Sequence, residues 1–270
     1  MTTPEIIASK VLATLRIRRP LILSLTNNVV QNITANMLLA VGAVPVMLTH
    51  EQEISELLRS CANGLLINVG TLNESQARTM LAATEQAQAL GIPWVLDPVA
   101  VGLLSFRTEV CHRLLENRPT MIRGNASEII ALAGTKGQPC RGVESSAESE
   151  AALAAAQSLA RQTGATVLVT GETDYCTNGS NTISCRNGNI LMTRVTGVGC
   201  AMGALATACL ASSDPPLHAA IATAAILGIA GEKAAHRAPA PGSFAVQLLD
   251  ELALISPDDV AKHSRLTEII

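Results

Sequence analysis

The run Val195-Thr196-Gly197-Val198-Gly199-Cys200-Ala201-Met202-Gly203-Ala204 sets glycines and a cysteine where a turn opens into an apolar, alanine-rich stretch. Glycines let backbone amides converge, and the start of a helix adds about half a positive charge. Together they make a cradle for an anion such as a phosphoryl group. The run is not a Walker A sequence, because no Gly-Lys-Ser/Thr follows, and it does not complete Gly-x-Gly-x-x-Gly. Close helix packing by small residues is the competing reading. Cys200 falls in the first turn of that helix. There the dipole and the amides should pull its thiol below the usual value of about 8.5. Such a group could hold a substrate hydroxyl and take its proton. A small buried hydrophobe is the alternative, since free cysteine is commonly that.

Other polar residues stand at the ends of short apolar runs. Thr26-Asn27-Asn28 follows residues 21–25, Gly70-Thr71 follows 65–69, and Asp97-Pro98 follows 94–96. Arg123-Gly124-Asn125 follows 121–122, and Thr170-Gly171 follows 167–169. A guanidinium at Arg123 could neutralise a phosphate or sit in a surface ion pair. Asn125 and Glu128 have the spacing of a helix cap and its N3 partner, so capping competes with any metal role for Glu128. With Asp97, Glu128 could orient a magnesium ion through water, because magnesium keeps several of its waters. Thr170 offers a hydroxyl for phosphate or ribose, or simply ends a strand. Asn27, Asn28 and Asn32 could read a ligand's polar atoms or cap a helix.

Continuous apolar runs of this length fit strands buried on both faces. Between them, residues 75–90 and 147–163 read as helices, stopped by Gly91-Ile92-Pro93 and Gly164. Strand, helix, strand at this spacing implies right-handed crossovers and a mainly parallel sheet. Ligands then bind at the carboxyl ends of the strands, where the polar residues gather. Residues 174–194 break the alternation with Asn178-Gly179 and Asn187-Gly188, which signal a small antiparallel excursion. Beyond it the chain reads as helical to its end. No linker or repeat divides residues 1–270, so one domain is expected.

The composition narrows the function. A net charge of −3 gives no cationic field for nucleic acid or anionic membrane. Trp94, Tyr175, Phe106 and Phe244 are the only aromatics, too few for base-stacking platforms. The apolar run 219–230 is too short to span a bilayer and reads as a buried helix. Residues 1–10 contain Glu5 and no apolar core, so no signal peptide is expected. Seven cysteines without a framework or a zinc spacing fit reduced thiols and a cytoplasmic location. A disulfide between Cys176 and Cys185 is not expected.

As a set, several segments resemble hydroxyethylthiazole kinase, a ribokinase-like family of thiamine salvage. They are residues 26–32 (TNNVVQN), 42–47 (GAVPVM), 97–102 (DPVAVG), 122–129 (IRGNASEI), 169–171 (VTG) and 195–200 (VTGVGC). They run in order along nearly the whole chain. The cysteine discriminates, because most ribokinase-like relatives carry aspartate where Cys200 stands. The resemblance implies a three-layer α/β/α sandwich around a sheet of nine strands or so, with no separate lid, and a homotrimer with sites between subunits. It implies phosphorylation of the hydroxyl of 4-methyl-5-(2-hydroxyethyl)thiazole, with ATP and Mg²⁺. Carried over, Met47 and Gly197 should contact the thiazole alcohol with Asn27 nearby, while Arg123 and Thr170 should contact ATP. Met47 is polarizable enough to lie on a sulfur-containing ring, although composition alone favours core packing. Another ribokinase-like vitamin-precursor kinase, of hydroxymethylpyrimidine or pyridoxal type, is the nearest alternative. A thiol enzyme with a covalent Cys200, or a ligand-binding protein without catalysis, are readings from other classes.

Overall fold

The computed structural model describes residues 3–134 and 146–269. Helix α1 (Pro4–Arg18) leads into an alternation of β1 (Leu21–Leu25), α2 (Gln31–Val41), β2 (Val44–Val46), α3 (Glu51–Ser60), β3 (Gly64–Asn68) and α4 (Glu74–Leu90). It continues through β4 (Trp94–Asp97), α5 (Ser105–Glu116), β5 (Met121–Asn125), α6 (Ala126–Ala133), α7 (Ser146–Thr163) and β6 (Thr166–Thr170). The hairpin β7 (Asp174–Thr177) and β8 (Thr182–Cys185) follows, then a 3₁₀ turn at Ile190–Arg194. Four helices come next, α8 (Val198–Leu210), α9 (Pro216–Arg237), α10 (Pro241–Leu254) and α11 (Pro257–His263), before β9 (Leu266–Ile269).

Among the described residues the strands form one sheet in the order β2-β1-β3-β4-β5-β6-β7-β8-β9. From β2 to β6 every neighbour is parallel, and the last three strands pair antiparallel. The expected antiparallel excursion is therefore β7 and β8. The expectation of helix to the chain's end fails at β9, which closes the sheet on β8. Cys176 faces Ile183 and Cys185 faces Asp174 across the hairpin, and both thiols are free.

Alternation along each strand sends successive side chains to opposite faces, and both are covered. Leu66, Val95, Met121 and Leu168 pack beneath α1, α2 and α8 to α11. Leu65, Ile67, Trp94, Leu96, Ile122 and Val167 pack beneath α3 to α7. The result is the expected three-layer sandwich. Alanines supply much of the first layer, and α9 lies mostly buried within it although it is apolar and long enough to cross a membrane. Helix starts and stops follow local chemistry. Asn73 and Gln76 form a capping box at α4, which ends at Gly91 in the left-handed region.

Candidate active site

The strand order reverses direction at β1, whose two sheet neighbours are β2 and β3. A crevice opens outside the carboxyl ends at such a switch point. The polar residues there share one face. Counting by twos from Leu66, Val95, Met121 and Leu168 gives Asn68, Asp97, Arg123 and Thr170, all on the side of α8. Three of these were expected just beyond their strands; instead they belong to them, Asp97 and Thr170 as last residues and Arg123 two short of the end.

They form one hydrogen-bonded chain across the sheet edge. The Asn27 amide donates to Asn68 Oδ1 at 2.8 Å, and Asn68 Nδ2 donates to Asp97 Oδ2 at 2.6 Å. Arg123 reaches Asp97 Oδ1 at 3.5 Å and donates from Nη2 to Thr170 Oγ1 at 3.0 Å. At the other end Asn27 Nδ2 lies 3.6 Å from Cys200 Sγ. Asn68 is the residue that sequence reasoning missed. Its signal was a lone amide inside the buried run Leu-Leu-Ile-Asn-Val at 65–69.

Above this chain stands the start of α8. Gly197 is its N-cap at φ 92°, a left-handed conformation that favours glycine, and no side chain caps the helix. A Cβ on Gly199 would sit 3.2 Å from Arg123 Nη2, and one on Gly203 would sit 3.1 Å from Leu66 Cδ1. Small residues thus bring uncapped helix amides onto the guanidinium. Arg123 is buried, and its Nε has no partner. A buried donor left unpaired costs on the order of 1–3 kcal/mol, so an anion arriving here would be stabilised.

Burial dominates the protonation of the site. It raises Asp97 to about 7, against the opposing charge of Arg123 and helped by the like charge of Glu128. Asp174, at the start of β7, is likewise raised to about 7 by burial, opposed by the Gly171 N–H and by Arg123. Cys200 departs from expectation. Its thiol is raised, first by burial and next by the negative charge of Asp97. Desolvation and a neighbouring carboxylate outweigh the helix terminus, so the thiol stays protonated near neutral pH.

Glu128 caps α6 in a box with Asn125, as the spacing allowed. Its Oε2 accepts from Asn125 N and its Oε1 from Ala100 N, both at 2.9 Å. It therefore also fixes the loop after β4, where Ala100 is held at φ 57°. No trio of metal-ligating side chains occurs among the described residues. Asp97 and Glu128 nonetheless sit close enough for one charge to act on the other. Each carboxylate keeps lone pairs beyond the hydrogen bonds named. That donor set fits a magnesium ion held through its waters and a ligand's oxygens.

A cavity of about 1170 Å³ opens beside this edge. Its lining includes the polar or small residues Arg123, Thr170, Gly171, Asp174 and Gly199, the apolar Ile190, Met192, Ala224 and Leu227, and the Asn187-Gly188-Asn189 loop. Arg123, Thr170 and Gly199 are thus brought together at the cavity, while Asn27 and Cys200 lie at the opposite end of the amide chain. Met47 follows β2, the edge strand, and is half-buried outside that chain. Asn28 and Asn32 are exposed, and α2 begins only at Gln31 with Val30 as N-cap, so neither asparagine caps it.

The sequence model of the hydroxyethylthiazole kinase family matches residues 12–258. A hydroxyethylthiazole kinase from Akkermansia muciniphila is 53% identical over 258 residues, covering 96% of this chain and 95% of that protein. One from Leptospira borgpetersenii is 50% identical, covering 90% and 91%. The solved structure of the Pyrococcus horikoshii hydroxyethylthiazole kinase protein superposes with a TM-score of 0.91 at 40% identity, covering 97% of this chain and 99% of that one. A Staphylococcus aureus pyridoxal kinase, solved with ADP, reaches a TM-score of 0.62 at 17% identity, over 79% and 88% of the two chains, a likeness of fold alone.

Proposed function

This chain belongs to the hydroxyethylthiazole kinase family, and we propose that it moves the γ-phosphoryl group of ATP to the hydroxyl of 4-methyl-5-(2-hydroxyethyl)thiazole at the carboxyl edge of its sheet. The observation that carries the assignment of the nucleotide end is Arg123, a buried guanidinium with an unpartnered Nε beneath the uncapped amides of α8. Phosphoryl transfer asks a protein mainly for positioning and charge neutralisation, and this arrangement offers both. Arg123 and Thr170 hold the nucleotide's phosphates, and the apolar residues of the cavity lining receive its base. Asn27, Met47 and Gly197 hold the thiazole alcohol, with Cys200 against its hydroxyl. The acceptor oxygen bonds to phosphorus as the bond to the bridging oxygen of ATP breaks, leaving ADP and releasing the hydroxyl proton. Bound magnesium would neutralise phosphate charge, held by Asp97 and Glu128 through water.

In this reading residues 1–270 are one catalytic domain without a separate lid, serving thiamine salvage in the cytoplasm. Free thiols among the described cysteines support that location. The assembly is a homotrimer with sites between subunits, and nucleic acid and membrane play no part. The test is turnover of ATP with the thiazole alcohol, with and without Mg²⁺, following the phosphorylated thiazole. A folded protein that makes none under saturating ATP overturns the proposal, and light scattering that finds a fully active monomer overturns its assembly.

A further inference from the structure

We propose that Glu232 on α9 is a positioning residue for the nucleotide, acting through the Asn187-Gly188-Asn189 loop that lines the cavity. The inference rests on the reading of that cavity as the nucleotide site. Glu232 does not line it; its carboxylate approaches the loop from behind, beside a separate shallow hollow shared with Ala235, His236 and Arg265.

Several bonds hold the loop on that side, and Glu232 is the residue that takes the Gly188 N–H. Gly188 has φ 143°, a conformation that favours glycine, and its N–H donates to Glu232 Oε1 at 2.8 Å. Asn187 Nδ2 lies 3.3 Å from both oxygens of Glu232 and donates to His263 O at 2.9 Å. The backbone N–H of Arg265 donates to Asn187 Oδ1 at 2.7 Å, and the Arg265 guanidinium pairs with Glu232. Two glycines of α9 complete the seat. A Cβ at Gly228 would lie 2.6 Å from Asn187 Cβ, and one at Gly231 would lie 2.6 Å from Met192 Sδ. The helix backbone therefore touches the loop directly, and Glu232, one residue on, sets how far it stands from the cavity.

The experiment uses the full chain, with ADP titrated by calorimetry and steady-state kinetics in both substrates. Glu232→Ala should raise the ADP Kd and the KM for ATP about tenfold, the scale of one charge-assisted hydrogen bond lost, while the KM for the thiazole and kcat stay within about twofold. The carboxylate is 22% exposed and its partner Arg265 55%, so the variant strands no buried charge. Glu232→Asp, which keeps the charge but draws the oxygen away from Gly188, should follow alanine and decides the matter should alanine fail to fold. Glu232→Gln keeps an acceptor for Gly188 N–H and should stay within about threefold of the parent. Arg265→Ala leaves the Gly188 bond in place and should do the same. Unchanged ADP affinity in the alanine and aspartate variants overturns the proposal, as does an equal rise in the thiazole KM. A parent protein that binds no ADP would instead overturn the nucleotide reading itself.

Discussion

Asp174→Asn should change how stability depends on pH. Asp174 is 9% exposed, and Gly171 N donates to its Oδ1 at 3.0 Å, an acceptor that asparagine retains. Burial raises the carboxyl from 3.8 to about 7. The folded protein therefore keeps a proton that the unfolded chain gives up near 3.8. Between these values the folded state binds more protons, so this group makes stability fall as pH rises, by about 1.4 kcal/mol per pH unit. Above about pH 7 the loss levels off near 4 kcal/mol, an upper figure for a buried carboxyl that can borrow charge from Arg123. Asparagine has no proton to lose. Its stability relative to the parent should climb by about 2–3 kcal/mol from pH 5 to pH 7 and then stay level. Urea unfolding at fixed protein concentration at pH 5, 6, 7 and 8, without nucleotide, measures the difference. Because Asp97 is present in both proteins, its own titration cancels to first order. Parallel pH curves for parent and variant would refute the argument, as would a variant less stable than the parent at pH 8.

Two further substitutions probe the site. Arg123→Ala should lower kcat/KM for ATP by about 10- to 150-fold, the loss of a charge-assisted phosphate contact, and leave thiazole affinity nearly unchanged; initial-rate kinetics that find ATP use intact would remove Arg123 from the nucleotide site. Cys200→Ser should slow turnover by less than about 100-fold, because a thiol that stays protonated does not supply the 10²–10⁴-fold of a general base. A loss of a thousandfold in a serine variant that folds, checked by circular dichroism, would restore the base role to the cysteine.

The sheet was legible in the sequence because its parallel strands are buried on both faces and so read as unbroken apolar runs. β9 was not, because Leu-Thr-Glu-Ile at 266–269 is short and mostly exposed and takes its conformation from β8 rather than from its own pattern. Arg123, Thr170 and Asp97 were legible because each interrupts or ends an apolar run with a polar group. Asn68 was not singled out, since one amide between Ile67 and Val69 looks like a strand residue until its partners, Asn27 in the loop after β1 and Asp97 on β4, are known. The cavity wall at 187–192 carried only a turn signal, and its meaning depends on α9, some forty residues later in the chain. The direction of the Cys200 shift could not come from sequence. The helix start that lowers a thiol was visible, but the burial and the Asp97 carboxylate that outweigh it were not.

That reversal bears on why a cysteine stands at this position. Asp97 is fully buried and already disfavoured as an anion, by burial and by Glu128. A carboxylate at position 200, joined to Asp97 through Asn27 and Asn68, would add a further acid to a region that already holds Asp97, Glu128 and Asp174 around Arg123. Two acids that cannot both ionise divide their protonation between them, and part of the charge near the phosphates would be lost. A thiol escapes the conflict. It stays neutral, takes a weak hydrogen bond from Asn27 Nδ2 and, in the proposed reading, would present a polarizable surface to the alcohol. A loose transition state needs little removal of the nucleophile's proton before the phosphoryl group begins to move. Orientation of the hydroxyl is then the larger demand, and a neutral thiol on the first turn of a rigid, buried helix can meet it. Under the proposed function, what Cys200 would contribute is its place at the end of the Asn27–Asn68–Asp97–Arg123 chain, more than its acidity.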